Sequence, residues 1–522
     1  MNKNSVLFVV FSAIALFGYF MFAQPQQKPA AQPQPAQPAA AAQNAKSQNA
    51  TAASVSANKN TDGSKETFTR IETDNYKIVF TNKGAGVTSW QVKENSGQWV
   101  DLVLNKDIAV LTTFPDATYK YVASKSKQNA VFEYVSPDGW KVTKTYSISP
   151  NSYMNNIEIV LAKTKANAAL PGIDFSWGPG FGTDEKELKE NESQTRVIAL
   201  NAQTGSVKKL EKESETAAQF KWAAIDNRYF LAAFIPQTPS DFNEIIAQRA
   251  DKKAPIAIHL TATPANNANS QTYSVNFYAG PKGYTYLKGY NLGLEKSVDF
   301  GFFGFLGKKA LAVLYFFQKI TGNYGWAIVL LTCVIQVLVL PLTLKSFHSM
   351  AAMKRVQPMV KEIQAKFKDN PQRLQAEMMN VYKSQKVNPL GGCLPMLLQL
   401  PIFWAFFAML RNAYELRNTP WILWVKDLSA PDQLFHMNLI LTNNFNLLPL
   451  IMGAGMFLQQ KLTSATADPA QRKMMYILPV VFTFMFWNFS SGLVLYWLTN
   501  SICSMIAQYL VIRKDSARVK HA

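Results

Sequence analysis

The sequence predicts a polytopic α-helical membrane protein with six transmembrane helices, a large extracytoplasmic β-sandwich domain and a cytoplasmic helical hairpin. Three observations carry this reading. Apolar runs near the length that crosses a ~30 Å hydrocarbon core stand at the start of the chain and crowd its C-terminal part. Between them, from about residue 66 to 289, apolar and polar residues alternate with the period of half-buried strands. Finally, one threading places every net-basic segment between the later runs on the same side of the membrane.

The first run, 5–23, follows a single Lys3 and ends in Met21 and Ala23, a poor cleavage site, with no Cys after it to carry a lipid. It reads as an uncleaved signal anchor over 1–23. Residues 24–65 form an Ala/Gln/Pro/Ser tract without the large apolar residues that build a core, and read as a tether. The alternation then begins. "YKIVFTNKGAGVTSWQV" is two strand-like runs around a Lys-Gly-Ala-Gly turn, and "YMNNIEIVLAKT", "APIAIHLTATPA" and "QTYSVNFYAG" repeat the pattern. A β-sandwich over 66–297 fits this texture. No nucleophile elbow, phosphate loop or carboxylate pair in it rises above chance, so its sequence assigns it no chemistry.

Residues 298–322 contain "FFGFLGKKALAVLYFFQKI", in which Leu306, Ala310, Val313, Leu314 and Phe317 share a helical face apart from Lys308 and Lys309. Such a helix either spans the membrane or lies in its interface. Charge decides between the two. Apolar runs follow at 326–344, 390–410, 445–459, 474–489 and 492–512. The loop 345–388 carries nine Lys/Arg against three Asp/Glu, while 411–444 has three of each sign. If the 298–322 helix lies flat, the basic loops and the basic tail 513–522 join Lys3 in the cytoplasm; if it spans, all of them fall outside. The flat arrangement gives a five-helix core over 323–512 and cytoplasmic termini.

Within the basic loop, Val356, Met359, Val360, Ile363 and Phe367 recur at helix spacing. "KDNP" breaks the run, and Leu374, Met378, Val381 and Tyr382 resume it, the pattern of an antiparallel helical hairpin. Pro358 is expected to open a helical segment.

Composition excludes other classes. The net charge of +19 lacks the aromatic-interleaved basic platform that single-stranded nucleic acid needs, and suits basic loops facing anionic lipids. Cys333, Cys393 and Cys503 all fall in apolar runs, so the β-rich region has no disulfide framework. Four scattered histidines offer no metal-ligand spacing. The five later runs hold no Asp, Glu, Lys or His to relay ions or protons.

They do hold amides. Thr332 and Gln336 lie four apart on one face of the 326–344 run, and Tyr496, Asn500, Ser504 and Gln508 form a stripe at the same spacing, with Thr499 beside it. Polar faces on the first and last helices of one bundle converge inward. Two readings stay open: hydrogen bonds that hold helices together, and a hydrated cavity served by more donors and acceptors than one contact satisfies. For Gln399 or Thr483 alone, the first is preferred. The runs 445–459 and 474–489 have only fifteen and sixteen residues, about 23 Å of helix, short enough to thin the bilayer.

At "YKSQKVNPLGGCLPMLLQLPIFWAFFAML" the chain closely resembles the YidC/Oxa/Alb membrane protein insertases, in particular the Gram-negative YidC branch. Asn388, Pro389, Gly391, Gly392, Cys393, Pro395, Gln399 and Pro401 look like that family's signature. "ELRNTPWILWVKDLSAPD", "DPAQRKMMYILPVVFTFMF" and "SSGLVLYWLTN" continue the likeness in order, which is dense over 290–512. The resemblance implies a periplasmic β-super-sandwich and a non-enzymatic insertase and chaperone of the bacterial inner membrane, without cofactor or metal. Its partners would be nascent membrane proteins and the Sec translocon (SecYEG, SecDF), with the ribosome and anionic lipids as candidate contacts of the hairpin and tail and no specific nucleic-acid sequence. A hydrophilic groove would be lined by Thr332, Gln336, Tyr496, Trp497, Thr499, Asn500 and Ser504. The passing helix would slide against Phe403, Phe406, Phe407, Phe482 and Phe486, although each phenylalanine taken singly fits plain lipid contact. Two positions depart from the family. Gln336 stands where the family typically has an arginine, and Trp497 where this branch often has a second tyrosine. A non-inserting assembly partner of the Sec machinery is the alternative; an envelope enzyme acting through the β-domain lacks a site.

Overall fold

The computed structural model describes residues 66–520 apart from positions 125, 184–190, 192, 212–213, 252–253, 266–267, 369, 386, 388–393, 437–443 and 465–468. The expected anchor 1–23, the tether 24–65 and the motif residues Asn388, Pro389, Gly391, Gly392 and Cys393 lie outside the described residues.

The alternating runs become antiparallel sheet. Nine strands lie side by side in the order Val207–Leu210, Arg196–Asn201, Phe220–Asp226, Phe230–Pro236, Ser270–Pro281, Met154–Lys163, Trp140–Ser147, Asn129–Val135 and Lys120–Val122. Two four-stranded sheets accompany them: Phe68–Glu72, Tyr76–Thr81, Val87–Lys93 and Trp99–Asp101, and Ser214–Thr216, Glu244–Gln248, Ala257–Ala262 and Ile173–Trp177. Every second residue points inward, so one hydrophobic core collects side chains from all three sheets. Trp90, Trp177 and Phe277, one from each sheet, meet with ring centroids 5.4–6.1 Å apart. The strands Phe220–Asp226 and Phe230–Pro236 are buried along both faces. On the second face the chain after the last strand folds back: Trp222 Nε1 donates to the Leu292 carbonyl at 3.2 Å, and Leu287 of helix α1 (Tyr284–Gly289) is fully buried.

Among the described residues, the remaining chain holds seven α-helices, α2 (Gly304–Thr321), α3 (Tyr324–Lys366), α4 (Pro371–Ser384), α5 (Leu394–Asn412), α6 (Leu447–Ser464), α7 (Pro469–Met485) and α8 (Ser491–Lys520), with Phe435–His436 pairing with Asn444–Phe445 in the loop before α6. Helices stand at all five of the later apolar runs. Among the described residues, 324–346 and 491–510 are long and apolar enough to cross a membrane by themselves, with mean hydropathy 2.6 and 1.2. Helices α6 and α7 have 18 and 17 residues, so each continues into polar sequence beyond its apolar run.

Two expectations are corrected. On α2 the buried face is Gly307, Ala310, Leu311 and Leu314, while Val313 is exposed. Glycine sets this rotation: a Cβ at Gly307 would stand 3.3 Å from the Ala405 carbonyl oxygen, so α5 lies close along that side. The opposite face shows Phe305, Phe316 and Ile320 beside exposed Lys308 and Lys309. The second correction concerns Pro358, which lies inside the continuous α3 and does not open a new helix. Proline forfeits one backbone hydrogen bond, and 43 residues of helix absorb that loss here. The break at "KDNP" falls as expected. Asn370 caps α4, its side chain accepting from the Arg373 N–H at 3.1 Å, with Pro371 at the first helical position. Val356, Val360 and Val387 form a small apolar cluster with Met353, Met378, Val381 and Tyr382.

The β-domain grips the chain that follows α5. Arg417 Nε donates to Glu94 Oε1 at 2.5 Å, with both side chains almost fully buried, and Asn418 donates to the other oxygen at 2.6 Å. The Arg417 guanidinium lies 4.6 Å from the Tyr229 ring, and Tyr414 joins the β-domain core. Removing one member of such a pair leaves a buried charge alone, at about 3–5 kcal/mol. Glu94→Leu should therefore destabilise the protein by that order, and adding Arg417→Met should recover much of the loss. A thermal-unfolding double-mutant cycle in detergent checks this; additive losses would mean the two side chains are not coupled.

Lys144 is a second buried cation. It points into the core with its ammonium bound to the Leu111 carbonyl and to Thr113 Oγ1, the latter at 2.9 Å. Burial pushes its pKa down to about 7, partly opposed by the charge of Asp174. Between pH 7 and about 10 the unfolded lysine holds a proton that the folded one has released, so stability rises with pH across that window, on the order of 4 kcal/mol. Lys144→Met should flatten this rise and raise stability at pH 7, since Tyr146 Oη still donates to the Leu111 carbonyl at 3.2 Å. Urea unfolding of the full-length protein, followed by tryptophan fluorescence at pH 7 and pH 10, tests it; equal slopes would refute the assignment.

Candidate functional site

Three amides from three helices meet in the helical core. On α3, Gln336 donates through Nε2 to Asn500 Oδ1 of α8. From α5, Gln399 Nε2 reaches the same oxygen at 2.7 Å. Tyr496, one turn before Asn500 on α8 and buried, pairs through its hydroxyl with the Gln399 side chain. An unpaired amide in an apolar interior forfeits about 1–3 kcal/mol. One carbonyl oxygen with two lone pairs can accept from both glutamines.

Asn500, within the α8 stripe, is thus the acceptor of the cluster, and Gln336 supplies the expected partner on the first helix of the core. Thr332 takes a different role. It is fully buried and donates to the Ile328 carbonyl of its own helix at 2.7 Å. Thr499 and Asn500 are buried, and Ser504 is half-buried. Gln399, expected as a helix-to-helix contact, is a full member of the cluster. The signal for it was present, because Gln399 is the one amide in the 390–410 run. Thr483 does behave as a packing residue: it donates to the Pro479 carbonyl at 2.8 Å, and a Cβ at Gly453 would stand 1.9 Å from its hydroxyl.

Beside the amides lies an aromatic cluster centred on Trp497. The rings of Phe403, Phe482 and Phe486 stand 5.1, 5.5 and 5.3 Å from it. Phe406 stacks on Tyr496 at 4.9 Å, and Phe407 lies 6.1 Å from Phe403. Phe403, Phe406 and Phe486 are at most 3% exposed, so their contact is with other helices and not with lipid. Burying the broad indole of Trp497 against three rings is what draws them inward. Of the signature prolines, Pro401 lies inside α5, which also contains Pro395. Sequence reasoning missed one further pairing: the sulfurs of Cys333 on α3 and Cys503 on α8 are 3.6 Å apart.

A large sandwich joined to a helical core that encloses neutral polar side chains defines a membrane protein with an extramembranous β-rich domain. The comparisons agree with this class and narrow it. The family model described as the 60Kd inner membrane protein matches residues 316–518, and that of the YidC periplasmic domain matches 99–312. The membrane protein insertase YidC of Endomicrobium trichonymphae is 58% identical over 524 residues, covering 100% of both chains. That of Syntrophobacter fumaroxidans is 36% identical over 79% of this chain and 76% of its own. A crystal structure of an active YidC insertase covers 85% of this chain and 92% of its own at 18% identity, with a TM-score of 0.41. The chain belongs to the YidC family of membrane protein insertases, which are not enzymes. Its β-rich domain is the family's periplasmic domain, and its apolar helices form the inner-membrane part.

Because Asn500 serves two donors and Gln336 only one acceptor, their removal should cost different amounts. Gln336→Leu should destabilise by roughly 0.6–2 kcal/mol, the range of one interhelical bond. Asn500→Leu strands both glutamines and should cost about twice as much. Unfolding in mixed micelles measures both; equal losses would show that Gln399 contributes nothing through Asn500.

Proposed function

We propose that this insertase accepts hydrophobic segments of nascent membrane proteins at the amide cluster, in a hydrophilic groove that opens when the aromatic cluster parts. In this reading the chain has six spans and cytoplasmic termini, and the α3–α4 hairpin projects into the cytoplasm. It inserts and chaperones clients alone or beside the Sec translocon (SecYEG, SecDF). Thr332, Gln336, Tyr496, Trp497, Thr499, Asn500 and Ser504 line the groove; Phe403, Phe406, Phe407, Phe482 and Phe486 are the greasy wall that a passing helix displaces. Anionic lipids and the ribosome face the hairpin and the tail.

The observation that carries the proposal is the shared Asn500 acceptor. Amide-to-amide bonds can be exchanged for bonds to an incoming peptide group at little net cost, because each partner is neutral and has a like-for-like replacement. A pure packing contact needs one donor and one acceptor; this site gathers two amide donors on one oxygen, with a phenol on the Gln399 side chain. The rival reading, an assembly partner of the Sec machinery that does not insert, is favoured by the closed packing of Phe403, Phe406 and Phe486.

Photocrosslinking in membranes separates the two. Photoreactive residues replace Gln336, Asn500 and Phe403 in turn, with Leu338, 74% exposed on α3, as the lipid-facing control. Ribosome-stalled single-span chains of increasing length are the clients. Length-dependent crosslinks at the first three positions and none at Leu338 are expected. Silence at Gln336 and Asn500 in folded protein would favour the assembly partner.

A further inference from the structure

The loop between α5 and α6 contains a tight turn of unusual composition. The Val425 N–H donates to the Ile422 carbonyl at 3.1 Å, and the Trp421 N–H to the Val425 carbonyl at 3.0 Å, so Ile422–Val425 is a β-turn. Leu423 occupies its first central position with φ +53°. Turns with positive φ there select Gly, Asn or Asp, because a branched side chain pays in backbone strain. Leu423 is also 83% exposed, and Ile422 37%. Neither backbone preference nor burial within the chain accounts for leucine at this position.

The surroundings of the turn show where it stands. Its neck is fixed on both sides. Asp427 Oδ1 accepts from the Asn418 N–H at 3.1 Å and the Ser429 N–H at 2.8 Å, and Asp432 accepts from Trp424 Nε1 at 2.8 Å and from the Leu448 N–H at 2.7 Å. Asn323 donates to the Pro420 carbonyl at 3.1 Å, and the Trp421 ring meets that of Trp326 at 5.6 Å. Gly325 permits this approach, since a Cβ there would lie 2.1 Å from the indole. The turn is therefore level with the first turn of α3, where the apolar stretch 324–346 begins, whose exposed residues include Trp326, Leu330, Val334, Val337 and Leu338. Three tryptophans at the end of such a helix mark the membrane–water boundary.

We propose that the Ile422–Leu423 turn inserts into the outer leaflet as a fixed anchor, its occupant being lipid acyl chain. This rests on α3 spanning the membrane, and continuity of the tip with the exposed apolar face of α3 is what selects lipid over a protein partner. Because Arg417 in the same loop is held by Glu94, the anchor also fixes the height of the β-domain above the bilayer.

The test uses the full-length protein in proteoliposomes that contain no other protein. An environment-sensitive fluorescent amino acid replaces Leu423, Val337 or Tyr121 in turn, and the lipids carry nitroxide on the acyl chain. Quenching of about twofold is expected at 337 and 423 and little at 121, which lies on the exposed edge of the β-domain. Quenching at 337 but not at 423 overturns the anchor while leaving the span intact; none at either overturns both. A tip shielded from aqueous iodide yet unquenched by lipid is covered by a second copy of the chain, which also overturns the proposal. Leu423→Gly separates anchoring from folding: stability in detergent should hold or rise, since glycine suits this φ, while quenching of a probe at Ile422 falls. Unchanged quenching in that variant would remove Leu423 from the anchor.

Discussion

A carbonyl oxygen in an apolar interior must find donors, and Asn500 finds two on separate helices. That requirement ties α3, α5 and α8 together at one point and sets how the aromatic residues pack around it. Tyr496 and Trp497 are neighbours on α8, so fixing Asn500 aims one ring at Gln399 and Phe406 and the other at Phe403, Phe482 and Phe486. The polar and aromatic clusters are two sides of one helix held in register by three amides.

The β-domain is bound to this core by means suited to a polar setting. A guanidinium, a carboxylate and an amide side chain meet in a buried clasp at Arg417, Glu94 and Asn418. Inside the helices the same task falls to neutral groups, because a charge at mid-membrane costs about 2.5–3.5 kcal/mol on insertion scales, while an interhelical amide bond contributes ~0.6–2 kcal/mol. Charge is thus concentrated where water or dense hydrogen bonding can support it.

Much of this was legible in the sequence. Strand alternation located the sandwich, since a sheet with one buried face imprints its period on composition, as "AIHLTA" does at Ala257–Ala262. Apolar length located the core helices, and i+4 spacing aligned Tyr496, Asn500 and Gln508 on one face. What stayed hidden depends on distance between elements. Gln399 stood out as the one amide of its run, but its partner did not: spacing alone does not say that it meets Asn500 while Thr483 bonds to its own helix. The inward turn of Phe403 and Phe486 follows from the size of one indole on another helix. The clasp joins residues 94 and 417, a pairing that no periodicity reports. Pro358 misled because proline stops isolated helices, whereas a long helix packed at several points tolerates one lost bond.

The amide at position 336 changes what a neutral site can sense. A guanidinium attracts an acidic residue over a Debye length of about 8–10 Å, more in an apolar medium, and that pull weakens with salt. A glutamine acts only at hydrogen-bond distance and responds to the valence of its partner, whatever the charge. On the proposed reading, an acidic client segment gains no long-range attraction from position 336, and any such attraction must come from elsewhere in a chain of net charge +19. The loop 345–388, with nine basic against three acidic residues, is the largest single source in the sequence. Capture by charge then belongs to the membrane surface, and the interior is left to exchange hydrogen bonds. This division suits a site that must release what it binds, because neutral bonds are made and broken without stranding an ion in lipid.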